Sequence, residues 1–244
     1  CSKQGPVAFC ADFDGADPFG IGGRGWDEVS NVATGLAIAA NQSVSTPNAL
    51  RVASSLGVER PSLMKTALLE GGAPIVSATL DYDLFVESLP KAEGAGVGLV
   101  DFQFAEADDF GFRLVLEANA DGSAKDLRLE HNSPGGTTVV RPPLASLPPQ
   151  AWTHVHCEAF FTPGKPNRAA LRVYFGGADT PAVDESFDAP FGFAGLARVR
   201  VLPFHFAGGA PNPGALSYGL YFDNVSMVTV GVPPELGRPG GARR

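Results

Sequence analysis

The side chains with the most chemistry in them form a scattered set: Arg113, Arg128, Tyr174, Arg200 and His205, each inside a short apolar-polar alternating segment. In an extended chain successive side chains point to opposite faces. Arg113 and Glu117 therefore share the face opposite Phe112 and Leu114, and Arg128 and Glu130 share the face opposite Leu129. A guanidinium fork beside carboxylates and a phenol can hold the hydroxyls or the carboxylate of a sugar. The same row can equally be paired charges on a wet surface, worth little to the fold. Sequence alone leaves both readings open.

Other constellations are weaker. Asp81, Asp83 and Glu87 share one face of a segment whose opposite face is apolar, and they read as a solvated face. His154 and His156 are two apart and also share a face, but no nearby Cys or His completes a zinc site. Gly20 to Gly25 matches the pattern GxGxxG. It follows Asp17-Pro18 instead of a strand, and no helical period follows it, so it reads as a glycine loop beside a packed Trp26.

Around these residues, the 244-residue chain is 44% hydrophobic and carries 17 Phe, 30 Gly and 21 Pro. Short alternating runs recur between turn signals, from Ile75–Phe85 through Gly96–Ala105, Phe110–Glu117, Leu127–His131, Thr153–Phe161 and Ala169–Phe175 to Ala197–Phe206. Pro61–Leu69 fits neither a helical nor a strand period. The pattern predicts one all-β domain over residues 7–230: a two-sheet antiparallel jelly-roll sandwich. Residues 1–6 read as a short polar tether, and 231–244 as a tail too rich in Gly and Pro to fold. The opening strand, residues 7–15, and the closing strand, 216–230, are expected side by side. The net charge of −8 and pI near 5.0 leave only Arg238–Arg244 as a basic patch, which argues against a nucleic-acid partner. No run of 18 apolar residues is present. A monomer is expected.

Three cysteines stand at 1, 10 and 157. Cys1 at the start of the chain is either the lipidated residue of a mature bacterial lipoprotein or the accidental edge of a fragment. The lipoprotein reading places the protein in the cell envelope, at the outer membrane, touching the membrane only through that lipid. Cys10 and Cys157 are then an even pair in an oxidising setting and would form a disulfide. Otherwise they are two buried thiols.

Three stretches carry a family resemblance. Phe9-Cys10-Ala11-Asp12-Phe13-Asp14-Gly15, the hairpin led by Trp152 and closed by Gly176-Gly177, and Tyr221-Phe222-Asp223-Asn224-Val225 together resemble the concanavalin A-like lectin/glucanase jelly roll, with its laminin-G-like relatives. The cysteine pair is similar to that of exported, lipid-anchored bacterial members. The resemblance implies a structural calcium where first and last strands meet, with Asp223 as best ligand and Asp12 or Asp14 helping. The alternative is an Asp223 that accepts hydrogen bonds from turn amides without metal. The hydrolases of this fold carry Glu-x-Asp-x-x-Glu on one strand. That motif is absent, and Asp184, Glu185 and Asp188 have the wrong spacing. The lyases of this fold use a Tyr or His base with Arg and Gln or Asn against a uronate, in strand motifs such as Gln-x-His. Those are absent too, and His131 and Arg172 join the five residues named first as loose substitutes. The resemblance therefore points to a non-catalytic carbohydrate-binding module of an exported lipoprotein. Its groove aromatics would come from Trp26, Tyr82, Phe204 and Phe206. A protein-contact domain of the envelope, or a cryptic lyase or glycosidase, are the alternatives.

Overall fold

The computed structural model describes residues 9–14, 26–30, 35–54, 62–68, 75–104, 111–133, 136–140, 147–148, 150–162, 167–189, 198–202, 205–207 and 217–231. Cys1, the glycine loop, Phe204, the tether and the tail beyond Gly231 lie outside them.

Alternation builds the strands. In Ile75–Ser88 (β6) Ala78, Leu80, Tyr82, Leu84 and Val86 are buried while Thr79, Asp81, Asp83 and Glu87 point outward. Numbered in chain order, the first sheet runs Val183–Ala189 (β13), Asn167–Phe175 (β12), Trp152–Thr162 (β11), β6, Tyr218–Gly231 (β16), Ala49–Ser54 (β4) and Leu36–Ala39 (β3), with Phe9–Ala11 (β1) also on β16. The second runs Gly136–Val140 (β10), Ala124–Ser133 (β9), Gly111–Ala118 (β8), Gly96–Phe104 (β7), Arg198–Leu202 (β14), Ser62–Leu68 (β5) and Glu28–Ser30 (β2), with His205–Ala207 (β15) on β7. All pairings are antiparallel, and the two sheets form the jelly-roll sandwich that the sequence predicts. The ambiguous Pro61–Leu69 segment resolves as β5. The opening and closing strands do meet, Phe9 opposite Met227 and Cys10 opposite Ser226.

Between the sheets lies one apolar core. Phe9 packs on Trp26 at 4.4 Å between ring centroids and Tyr82 on Phe222 at 5.6 Å. The Tyr82 hydroxyl donates to Leu99 O at 2.8 Å, a polar link from β6 to β7 across the sandwich. Trp26 and Tyr82 are thus core residues, and the expectation that they rim a groove is corrected: their positions fall on the inward face. His131 is also inward, stacked on Phe187 at 4.2 Å, and burial lowers its pKa. It packs β9 of the second sheet against β13, the edge strand of the first, and does not face a substrate.

The Cys10–Cys157 disulfide is not formed; Cys157 is a free, buried thiol. The register explains why. β1, β16, β6 and β11 are successive neighbours, with Cys10 opposite Ser226, Ser226 opposite Asp81 and Asp81 opposite His156. Three strand spacings put residues 10 and 157 roughly 14 Å apart, when a disulfide needs Cα atoms within about 7 Å. Burial pushes the Cys157 thiol well up, which keeps it protonated and inert. Iodoacetamide should therefore leave Cys157 unlabelled in native protein and label it after denaturation without reductant, read by peptide mass spectrometry. An unlabelled Cys157 in unreduced, denatured protein would restore the disulfide.

Candidate functional site

Directly opposed residues in a ladder share a face. On the outer face of the second sheet Asp101, Arg113 and Glu130 form one row across β7, β8 and β9, and Val115 with Arg128 begins the next. Their side chains connect. Arg113 donates from Nη2 and Nε to Asp101 Oδ2 at 3.1 and 3.3 Å and sits 3.7 Å from Glu130 Oε2. Arg128 pairs through Nη1 with Glu117 Oε1, and its Nε lies 2.9 Å from Glu130 Oε1 without being aimed at it. The chain Asp101–Arg113–Glu130–Arg128–Glu117 holds two cations and three carboxylates. Asp101 and Glu117 are each only 3% exposed and Val115 0%, so this outward face is a covered floor and not open surface.

The register extends the face. Position 200 stands opposite Gln103, two residues from Asp101, and position 205 stands opposite Gly98, which faces Val115. By register, positions 113, 128, 200 and 205 therefore share one face of the second sheet. The side chains of Gln103, Arg200, His205 and Phe206 lie outside the described residues. Sequence reasoning missed Gln103 and Asp101. Their alternation inside Asp101-Phe102-Gln103 was the signal available.

Tyr174 is elsewhere. It lies on the outer face of the first sheet, where its hydroxyl donates to Glu158 Oε2 at 3.3 Å and its ring stands 5.5 Å from His156. Beside it His154 Nδ1 and Asp83 Oδ1 are 2.9 Å apart, and His156 Nδ1 and Asp81 Oδ1 2.6 Å. Burial pushes the Asp81 carboxyl up, but the two imidazoles outweigh it and hold it below its ordinary value. In return Asp81 and Asp83 raise His154 from 6.5 to about 10. A folded pKa above the unfolded one gives stability that is full below pH 6.5 and fades as pH climbs to about 10. Since His154 is half exposed the effect is modest. The urea midpoint should fall between pH 6 and pH 10 by more in the wild type than in His154→Gln; equal falls would remove the pairing.

Asp12, Asp14 and Asp223 each accept hydrogen bonds of their own near the meeting of the first and last strands. Among the described residues no three His, Cys, Asp or Glu side chains are grouped to hold a metal. β16 carries a bulge between Asp223 and Ser226, with Asn224 at φ 52°, a conformation Asn tolerates. Asp223 is covered by the 40–48 loop, and its oxygens accept from Val44 N, Ser45 N, Ser45 Oγ and Asn224 N at 2.7–2.9 Å. Burial raises its pKa against the pull of these donors. Asp14 accepts from Asn48 N at 2.9 Å, and Asp12 from Asp14 N. Asp223 and Asp14 thus tie down the 40–48 loop.

No family model and no curated protein matches the chain. Solved structures do. An endo-β-1,4-glucuronan lyase from the fungus Trichoderma reesei aligns over 92% of this chain and 96% of its own, at 12% identity and TM-score 0.60. A PL-14 alginate lyase from Aplysia kurodai aligns over 80% and 87%, at 15% identity and TM-score 0.55. The cellulose-induced protein Cip1 aligns over 92% and 99%, at 15% identity and TM-score 0.54. At such identities the likeness is one of fold: this chain shares the two-sheet jelly roll found in those polysaccharide lyases.

Proposed function

We propose that this is a polysaccharide-binding protein that takes uronate-bearing chains on the outer face of the second sheet without cutting them. The observation that carries the reading is the covered Arg113–Arg128 network, with positions 200 and 205 in its adjoining rows. Charge is unevenly spread there. The carboxylates cluster on β7, β8 and β9, while β14 brings positions 198 and 200, both arginines, to the other side. A uronate ring laid across would turn its carboxylate to β14 and its hydroxyls to the Arg–Glu network. The jelly-roll likeness to lyases of glucuronan and alginate supports the substrate class, by fold alone.

One observation favours a second reading. Positions 103, 200 and 205 share a parity by register and hold Gln, Arg and His, residue types that could remove a proton beside a uronate carboxylate and neutralise the carbanion. Incubation with polyglucuronate and with alginate separates the two. Binding with no rise in the ultraviolet absorption of unsaturated uronate ends is the expected result. A rise abolished by His205→Ala would make the protein a lyase, and neither binding nor turnover would remove both readings.

A further inference from the structure

The outer face of the first sheet carries a pocket of about 360 Å³ that none of this uses. Its floor is Phe85 and Tyr221, opposed across β6 and β16, ring centroids 5.9 Å apart and nearly perpendicular. Trp152 extends the aromatic surface, 5.7 Å from Phe85. The walls are polar: Glu87, Asn41, Gln42 and Gln150.

Glu87 is held in place. Arg51 Nη2 donates to its Oε2 at 2.8 Å, and the Tyr221 hydroxyl donates to its Oε1 at 3.4 Å. A Cβ on Gly219 would fall 2.2 Å from Glu87 Oε2, so only glycine leaves the carboxylate its position. Gln150 sits at φ 55°, a left-handed backbone that glutamine adopts at a cost. Asn41 and Gln42 arrive on the 40–48 loop that Asp223 and Asp14 tie down.

We infer that this pocket binds a neutral mono- or disaccharide unit, at a site separate from the arginine face. Aromatic faces suit the apolar C–H surface of a sugar ring, and a fixed carboxylate with three amides supplies paired acceptors and donors for hydroxyls. A uronate is disfavoured: its carboxylate would meet Glu87, and the cation beside it, Arg51, is already engaged. The volume lies at the small end of ligand sites, ~300–1,000 Å³, matching one or two rings.

The test is calorimetric titration of the full chain with cellobiose, maltose and lactose, alongside tryptophan fluorescence. Trp26 is buried in the core, so a spectral change reports Trp152. Saturable binding of at least one disaccharide is expected. Gln150→Gly, which relaxes the backbone while removing the amide, and Gly219→Ala should each weaken it tenfold or more, and Arg113→Lys should leave it unchanged. No binding by any of the three sugars, or binding untouched by Gln150→Gly and Gly219→Ala, would overturn the inference. Loss with Arg113→Lys would also overturn it, by assigning the sugar to the other face. Failure here leaves the uronate assay unaffected, because the two sites share no residue.

Discussion

Arg128→Ala is expected to cost about 3 kcal/mol of stability, because it strips the guanidinium from two carboxylates at once, one of them almost fully buried. Glu117 is 4% exposed in its side chain and Glu130 15%. For a domain of this size that is a fall in Tm of roughly 6–12 °C. The loss is not the worth of the ion pair; it is mostly the penalty of leaving charge behind in a covered place. The distinction can be measured. Glu117→Gln with Arg128→Met removes charge on both sides while keeping bulk, and should recover most of the Tm. If the double variant is as unstable as Arg128→Ala, the network matters through shape and not through compensation of charge. If Arg128→Ala melts like the wild type, Glu117 and Glu130 are solvated and the covered floor is wrong.

Asp223→Ala is the second large effect, about 2–3 kcal/mol, from three hydrogen bonds to the distant 40–48 loop and one to the neighbouring amide. Part of the loss is softened because Val44 is half exposed and its loop can find water. Asp223→Asn should lie close to Ala, since the new amide group turns a donor toward donors. Thermal melts followed by circular dichroism check this, and a drop under 2 °C would show that the loop is held by other means. The same variant should weaken disaccharide binding at the Phe85–Tyr221 pocket, by releasing Asn41 and Gln42. Unchanged binding in folded Asp223→Ala would mean that the loop seats itself.

Much of the fold was legible because period-2 alternation is a local property. The segment Ile75–Phe85 read as a strand and is one, and the aromatic run at 218–222 found its place beside β6 and β4. What local pattern cannot carry is which face of a strand turns inward and which strands become neighbours. Tyr82 carries a hydroxyl that suits a groove rim, yet it shares the parity of Ala78, Leu80 and Leu84 and goes into the core, its hydroxyl satisfied by a carbonyl of the other sheet. The cysteine pair failed for the second reason: three ladder steps separate residues that look pairable by count. The site was half legible. Positions 113, 128, 200 and 205 fall at one parity of the second sheet, on strands that flank or adjoin β7, whereas Tyr174 lies on the other sheet. The Asp223 loop contacts span 178 residues or more, and the Phe85–Tyr221 pocket joins segments from four parts of the chain. No spacing rule announces either.

The most direct test of the account is affinity electrophoresis in gels containing polyglucuronate, comparing wild type with Arg113→Lys and Tyr174→Phe. Arg113→Lys keeps a charge beside Asp101 but loses the bidentate fork, so it should stay folded and lose retardation about tenfold or more. Tyr174→Phe, on the opposite sheet, should run as the wild type. Retardation lost with Tyr174→Phe and kept with Arg113→Lys would move the polysaccharide to the first sheet and contradict the account.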